Sequence, residues 1–212
     1  MSDTVDVYFS MQSNYCYLLL DRLMWLNERV GVRIRPVLPG LVRNPGAYVD
    51  RTDVEAAYFN ADTARLAKML GVSYGEPAVS PVAFRPGSLW HAAPEQPRVG
   101  PLYHLFGAAI LRGSGLAFLD QVMRLIWDGQ GRDWTDQAVM RAALARAGME
   151  YDALQATQAE QVDALLKENE ADMLVHHHGV PLMVLHGEPF YGQDRFDHLC
   201  WRLGLDEKGV AS

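Results

Sequence analysis

Val5, Val7 and Phe9 alternate with Asp6 and Tyr8 near the start of the chain, and a period of two predicts a strand. Ser13-Asn14 follows, and from Tyr15 to Arg29 the residues Leu18, Leu19, Leu23 and Leu26 space an apolar helical stripe, with Arg22 as polar relief. Val32-Arg33-Ile34-Arg35 alternates again and is closed by Pro36. The opening therefore reads strand, helix, strand. If the two strands pair in parallel, their crossover is right-handed.

The pattern then changes. Pro39 to Gly46 combines prolines, glycines and an asparagine, which predicts a loop. Thr52 followed by Glu55 has the spacing of a capping box, opening a helix that ends before Gly71. From Gly75 to Pro101 stand six prolines, at 77, 81, 86, 94, 97 and 101. Each fixes φ and removes a donor, so neither regular helix nor central strand is expected there. Helical spacing returns over Leu102–Arg112, Leu116–Trp127 and Thr135–Arg146, and a long helix over Gln158 to His176. Leu182–His186 predicts a strand, with Gly187-Glu188 as the hairpin turn into Phe190-Tyr191. Asp194 is expected to cap a last helix through Trp201 and Leu203, stopped by Gly204.

The order is βαβ, a block of helices, then ββα. It implies an α/β sheet domain interrupted by an all-helical insertion. Composition agrees with a folded chain: of 212 residues, 49% are apolar and 21% charged, close to the globular average. No apolar run approaches the roughly 18 residues of a membrane helix, so no membrane partner is expected. Met1 to Asp6 carries two aspartates and no Lys or Arg, unlike a secretory signal. Two cysteines are too few for a disulfide scaffold, and a cytoplasmic location is expected. A net charge of −7 argues against a nucleic-acid partner, whose binding draws on Lys and Arg.

Candidate chemistry gathers at two helix starts. Ser13-Asn14-Tyr15-Cys16 stands where a strand hands over to a helix, whose unpaired first-turn N–H groups stabilise an anion, including a thiolate. Ser13 is equally suited to plain N-capping, and Cys16 to being a small buried hydrophobe. Gly192-Gln193-Asp194-Arg195 opens the last helix, where Gln193 and Asp194 could hold an ammonium or carboxylate group. Gly179-Val180-Pro181 precedes a strand, and the residues allow either isomer of the Val180–Pro181 bond. Successive side chains of His176-His177-His178 point in three directions on a helix, so no metal centre is expected.

Together these motifs resemble the 2-hydroxychromene-2-carboxylate isomerases and their relatives, the kappa-class glutathione transferases, in the DsbA-like branch of the thioredoxin fold. The matching residues are Val7-Tyr8-Phe9 through Ser13-Asn14-Tyr15-Cys16-Tyr17-Leu18, and Gly179-Val180-Pro181 through Phe190-Tyr191-Gly192-Gln193-Asp194-Arg195. Ile126-Trp127-Asp128, Gly131-Arg132-Asp133 and Ala145 to Gly148 resemble the last insertion helices of that family. The resemblance implies a thioredoxin-like domain from residues 1–45 and 178–212, a helical insertion over 46–177, and a cis Val180–Pro181 bond. It implies that Ser13 hydrogen-bonds the sulfur of bound glutathione. Val180, beside Pro181, would pair its backbone with the cysteinyl part, Gln193 and Asp194 would hold the γ-glutamyl end, and Asn44 matches a glutathione-contacting asparagine.

The implied activity is a glutathione-dependent cis-trans isomerisation in aromatic catabolism, with a small aromatic or hydrophobic substrate and a homodimeric protein. A kappa-like transferase, a DsbA-family thiol oxidoreductase and a non-catalytic relative are the alternatives. Three residues depart from the family pattern. Asn14 replaces a proline, Cys16 replaces the second serine, and the lysine for the glycyl carboxylate is missing, with Glu55 or a neighbour near its place.

Overall fold

A computed structural model describes residues 3–205. β1 (Thr4–Phe9), α1 (Asn14–Asn27) and β2 (Gly31–Pro36) form the expected βαβ opening, and β1 pairs with β2 in parallel. α2 (Gly40–Arg43) and a 3₁₀ helix over Pro45–Tyr48 occupy the segment read as a loop. Each is one turn long, too short for hydrophobic periodicity to register, and Pro39 and Pro45 start them with φ already near helical. α3 (Asp53–Met69) carries the predicted capping box: Thr52 accepts from the Glu55 N–H, and Glu55 accepts from the Thr52 N–H.

The proline-rich stretch is irregular as expected, and side-chain amides take up its backbone hydrogen bonds. Gln12 accepts from the Val82 N–H at 2.9 Å. Gln96 accepts from Ala83 N–H and donates to the carbonyls of Ala83 and Ala93. Pro101 belongs instead to α4 (Val99–Leu111), which starts three residues before the predicted Leu102. It stands in the first turn, where an N–H has no intrahelical partner to lose. α5 (Gly115–Trp127) matches, and α6 (Gln137–Arg146) starts two residues late because the Asp136 side chain caps it, accepting from Ala138 N–H. A short helix, α7 (Tyr151–Gln155), lies below the length that periodicity reveals; α8 spans Ala159–His176.

β3 (Leu182–Leu185) and β4 (Glu188–Tyr191) close the sheet in the order β2-β1-β3-β4, with β1–β3 and β3–β4 antiparallel. Their turn is His186-Gly187, one residue earlier than predicted, with φ of 51° and 83°. Two positive φ values fit a type I′ turn, and His186 is held there by Asp3 at 2.8 Å. The last segment differs too. Gln193–Arg195 is a 3₁₀ turn and α9 runs Phe196–Leu203, so Asp194 lies inside the turn and makes no side-chain cap bond. Gly204 ends α9 in the left-handed conformation, as expected.

The insertion helices share the core of the sheet. One buried cluster runs from Val5, Val7 and Phe9 through Leu19 and Leu23 of α1 to Phe106 of α4 and Phe118 of α5. α8 returns to the sheet on polar contacts: Tyr8 and Arg35 both donate to Asp172 at 2.7 Å, and Asn169 donates to the Pro36 carbonyl at 3.0 Å. No helix among the described residues is long and apolar enough to cross a membrane.

Candidate active site

The β1–α1 loop is fixed from below by a buried phenol. Tyr103 of α4 lies 2.8 Å from the Ser10 hydroxyl and accepts from the Met11 N–H at 2.9 Å. Trp127 of α5 donates to the Met11 carbonyl at 3.0 Å. Ser13 is thereby set as the N-cap of α1, its Oγ accepting from the Cys16 N–H at 3.2 Å. Asn14 fills the first helical position and donates to Thr63 Oγ1 and to the Tyr74 hydroxyl. It thus ties α1 to α3 and to the irregular segment.

Ser13 opens onto a cavity of about 840 Å³ between the β1–α1 loop, α2, α3, the proline-rich segment and the loop before β3. Its wall is rich in aromatic rings: Tyr15 meets Phe59 edge-on at 5.0 Å, and Trp90 stacks on Tyr48 at 6.1 Å. Arg43, Arg51, Glu55 and Glu76 bring charge to it. Arg51 pairs with Glu55 at 2.6 Å and lies over the Trp90 ring at 5.8 Å. Arg43, its side chain only 5% exposed, pairs with Glu170 at 3.7 Å and donates to the His178 carbonyl.

The cysteines are elsewhere. Cys16 and Cys200 are both buried at 0% exposure. Burial pushes the Cys16 thiol up to about 12, against a smaller lowering by its hydrogen bonds to Ser10 and Ser13. A thiol so placed is not a thiolate near neutral pH and has no access to a substrate. Among the described residues no group of His, Cys, Asp and Glu could hold a metal ion.

Of the residues singled out in the sequence, Ser13 and Val180 line the cavity, and the Val180–Pro181 bond is cis. Pro181 is buried directly behind Val180. Gln193, Asp194 and Asn44 are outside the cavity lining. Gln193 accepts from the buried guanidinium of Arg22. Asp194 is more than half exposed and pairs with Arg195 at 3.5 Å. Asn44 is exposed at the end of α2. Arg43, Arg51, Trp90 and Tyr191 were not found from the sequence. Arg43, Arg51 and Trp90 come from segments without periodicity, and Tyr191 ends β4, whose strand signal does not mark a cavity wall; the spacing of Arg51 four residues before Glu55 was the available sign of that cation.

The fold has known counterparts. Residues 4–204 match the sequence model of the DsbA-like thioredoxin domain. The chain belongs to that family. Among solved structures, a 2-hydroxychromene-2-carboxylate isomerase is similar with a TM-score of 0.70 at 20% identity, covering 95% of this chain and 94% of that one. A probable DsbA oxidoreductase from Streptomyces coelicolor is similar at a TM-score of 0.64 and 17% identity, covering 95% and 90%. The cytosolic disulfide reductase DsbM from Pseudomonas aeruginosa follows at 0.61 and 19%, covering 96% and 100%, and has also been solved with GSH. No curated protein matches the sequence. Proteins named as an isomerase and as thiol oxidoreductases thus share this fold, and the site has to distinguish them.

Proposed function

We propose that this DsbA-like protein is a glutathione-dependent isomerase of a small conjugated aromatic compound, similar in chemistry to the 2-hydroxychromene-2-carboxylate isomerases. The observation that carries this reading is the pairing of a serine hydroxyl on the cavity wall with two buried cysteines. Disulfide exchange needs an accessible attacking thiolate and a resolving thiol, and Ser13 and the buried Cys16 provide neither. A thiol brought in by a cofactor restores sulfur chemistry to the cavity, and glutathione is the thiol in the related DsbM structure.

In this mechanism Ser13 Oγ keeps its lone pair on the Cys16 N–H and donates its hydrogen to the glutathione sulfur, favouring the thiolate at the N-terminus of α1. When bound, glutathione would supply a nucleophilic sulfur able to add reversibly to a conjugated double bond and so permit rotation about it, with no net consumption of the tripeptide. Val180 would supply backbone to the cysteinyl part, whereas Gln193, Asp194 and Asn44, outside the cavity lining, would meet the tripeptide only where it extends beyond the cavity. Arg51 takes the place of the family lysine for a carboxylate, and the aromatic wall takes the substrate ring. A kappa-like transferase would use the same groups and release the adduct.

Glutathione at about 100 times its dissociation constant should stabilise the fold by about 2.7 kcal/mol. At about 2–4 °C per kcal/mol this is a rise of roughly 5–11 °C in Tm. Calorimetry with and without glutathione, beside a spectrophotometric assay on 2-hydroxychromene-2-carboxylate, tests the proposal. Absence of any shift at millimolar glutathione would end it. Accumulation of a stable conjugate would select the transferase.

A further inference from the structure

His177, at the end of α8, has no part in that chemistry and stands outside the cavity lining, yet it holds two residues of the cavity wall. Its Nδ1 accepts from the Gly179 N–H at 2.9 Å, while its backbone N–H donates to the Met173 carbonyl at 2.9 Å. Its ring stacks on Tyr191 with centroids 3.7 Å apart and planes 26° from parallel. Tyr191 in turn covers Gly179 so closely that a Cβ there would lie 2.6 Å from the phenol ring and 2.8 Å from its oxygen. Gly179, Val180 and Tyr191 all line the cavity. One imidazole therefore holds two adjacent pieces of the wall, by a hydrogen bond and by a stack, and hangs them from the last turn of α8.

We propose that His177 is a positioning residue that latches the Gly179–Val180 wall in its binding position, and that the latch holds only while the imidazole is neutral. The identity of the ligand rests on the reading above; the latch itself does not. Nδ1 accepts a hydrogen bond only with its lone pair free, which places the proton of the neutral ring on Nε2. Protonation turns Nδ1 into a donor facing another donor, and the Gly179 N–H loses its partner.

The surroundings favour the neutral ring. Burial, and then the neighbouring His178, outweigh a smaller opposing effect at Gly179 and hold His177 below the ordinary 6.5. Arg43 of α2 donates to the His178 carbonyl and so brings a second cation near. Glu170 of α8 is paired with Arg43 at 3.7 Å, and Asp194 with Arg195 at 3.5 Å. Tyr191, acted on by Tyr48, Arg51 and Asp194, has its phenol held above its ordinary value, chiefly by burial, and stays uncharged. His176 precedes the ring on α8. A group whose ionisation is depressed by folding is neutral above that depressed value, so the latch is closed at neutral pH and opens as pH falls below 6.5.

The test uses full-length protein labelled with ¹⁵N-glycine, following the Gly179 amide and the His177 ring protons from pH 8 to 4.5, with glutathione affinity measured in parallel. The Gly179 amide should shift with a single midpoint below 6.5, shared with the His177 ring. Affinity should fall about two- to tenfold across it, the range of one backbone hydrogen bond. His177→Asn keeps an acceptor that does not titrate. It should abolish the Gly179 midpoint and keep affinity within about twofold of wild type at pH 8, which also accounts for the titration of glutathione itself. His177→Phe keeps the stack without the acceptor and should bind at every pH as weakly as wild type does at low pH. A Gly179 amide indifferent to the His177 titration, or His177→Phe binding as tightly as wild type at pH 8, overturns the latch. If glutathione binds at no pH, the proposed function fails, and the Gly179 titration still decides the latch.

Discussion

Ser13 has its hydrogen-bonding capacity divided between the helix and the cavity. Its oxygen accepts from the Cys16 N–H, and the hydroxyl hydrogen, which otherwise faces the Cys16 thiol, can turn to a sulfur in the cavity. Ser13→Ala should therefore lower turnover by about 1.5–3 kcal/mol, the worth of a hydrogen bond to a charged group, or roughly ten- to a hundredfold in kcat/KM. Loss of the cap should cost about 1 kcal/mol in unfolding free energy. Steady-state kinetics and urea unfolding on the same variant separate the two. A drop in stability with unchanged turnover would reduce Ser13 to a cap. Three residues on, Cys16 differs from Ser13 in burial, not in sequence context, and the thiol is held near 12. Neither Cys16 nor Cys200 should react with a disulfide reagent in the native protein at pH 8, whereas both should titrate in denaturant. A fast-reacting native thiol would return the oxidoreductase reading to first place. The sequence showed both residues at a helix start, but not which one the cavity sees, because that depends on α4 and α5 closing beneath the loop.

At the scale of elements, the N-terminus of α3 joins stability to the site. Thr52 caps the helix through its hydroxyl, Glu55 closes the box and also pairs with Arg51, and the Thr52 carbonyl accepts from Trp90 at 3.1 Å. Thr52→Ala should cost about 0.5–2 kcal/mol, a fall of roughly 2–4 °C in Tm for each kcal/mol. Thermal unfolding of the variant checks it, and an unchanged Tm would show the box to be silent. That box was readable because its two residues are three apart and both polar. The strands and long helices were readable for the same reason, since their signals are local and repeat. α2, α7 and the His186-Gly187 turn were not. One-turn helices carry no period, and the turn register is set by Leu185 pairing with Glu188 across the hairpin. The proline-rich wall was legible as irregular, but its order depends on Gln12 and Gln96 reaching its backbone. Arg22, which reads as polar relief on α1, is 7% exposed and donates to Gln193 at the far end of the chain.

The whole molecule has its core drawn from both ends of the chain and from the helices between them, and polar groups enter that core in their protonated forms. Cys16 is raised from 9.0 to about 12 by burial. Tyr15 is raised from 10.0 to about 12 by burial and then by its hydrogen bond to Asp62, and Tyr17 to about 12 chiefly by burial. All three stay neutral in the folded state at a pH where the unfolded chain has released their protons. Below about pH 9 both states hold these protons, and the groups contribute no slope. Above it the unfolded state binds fewer protons, so stability must fall as pH rises, first through Cys16 and from about pH 10 through the tyrosines as well. One such group contributes at most about 1.4 kcal/mol per pH unit. Urea midpoints measured from pH 7 to 11 should be level at first and then decline beyond pH 9. Cys16→Ser, whose hydroxyl does not titrate there, should delay the onset by about one pH unit. A midpoint that declines equally early in Cys16→Ser would show that the alkaline loss comes from other groups. A midpoint level to pH 11 would mean that the thiol and phenols are far less buried than the fold places them.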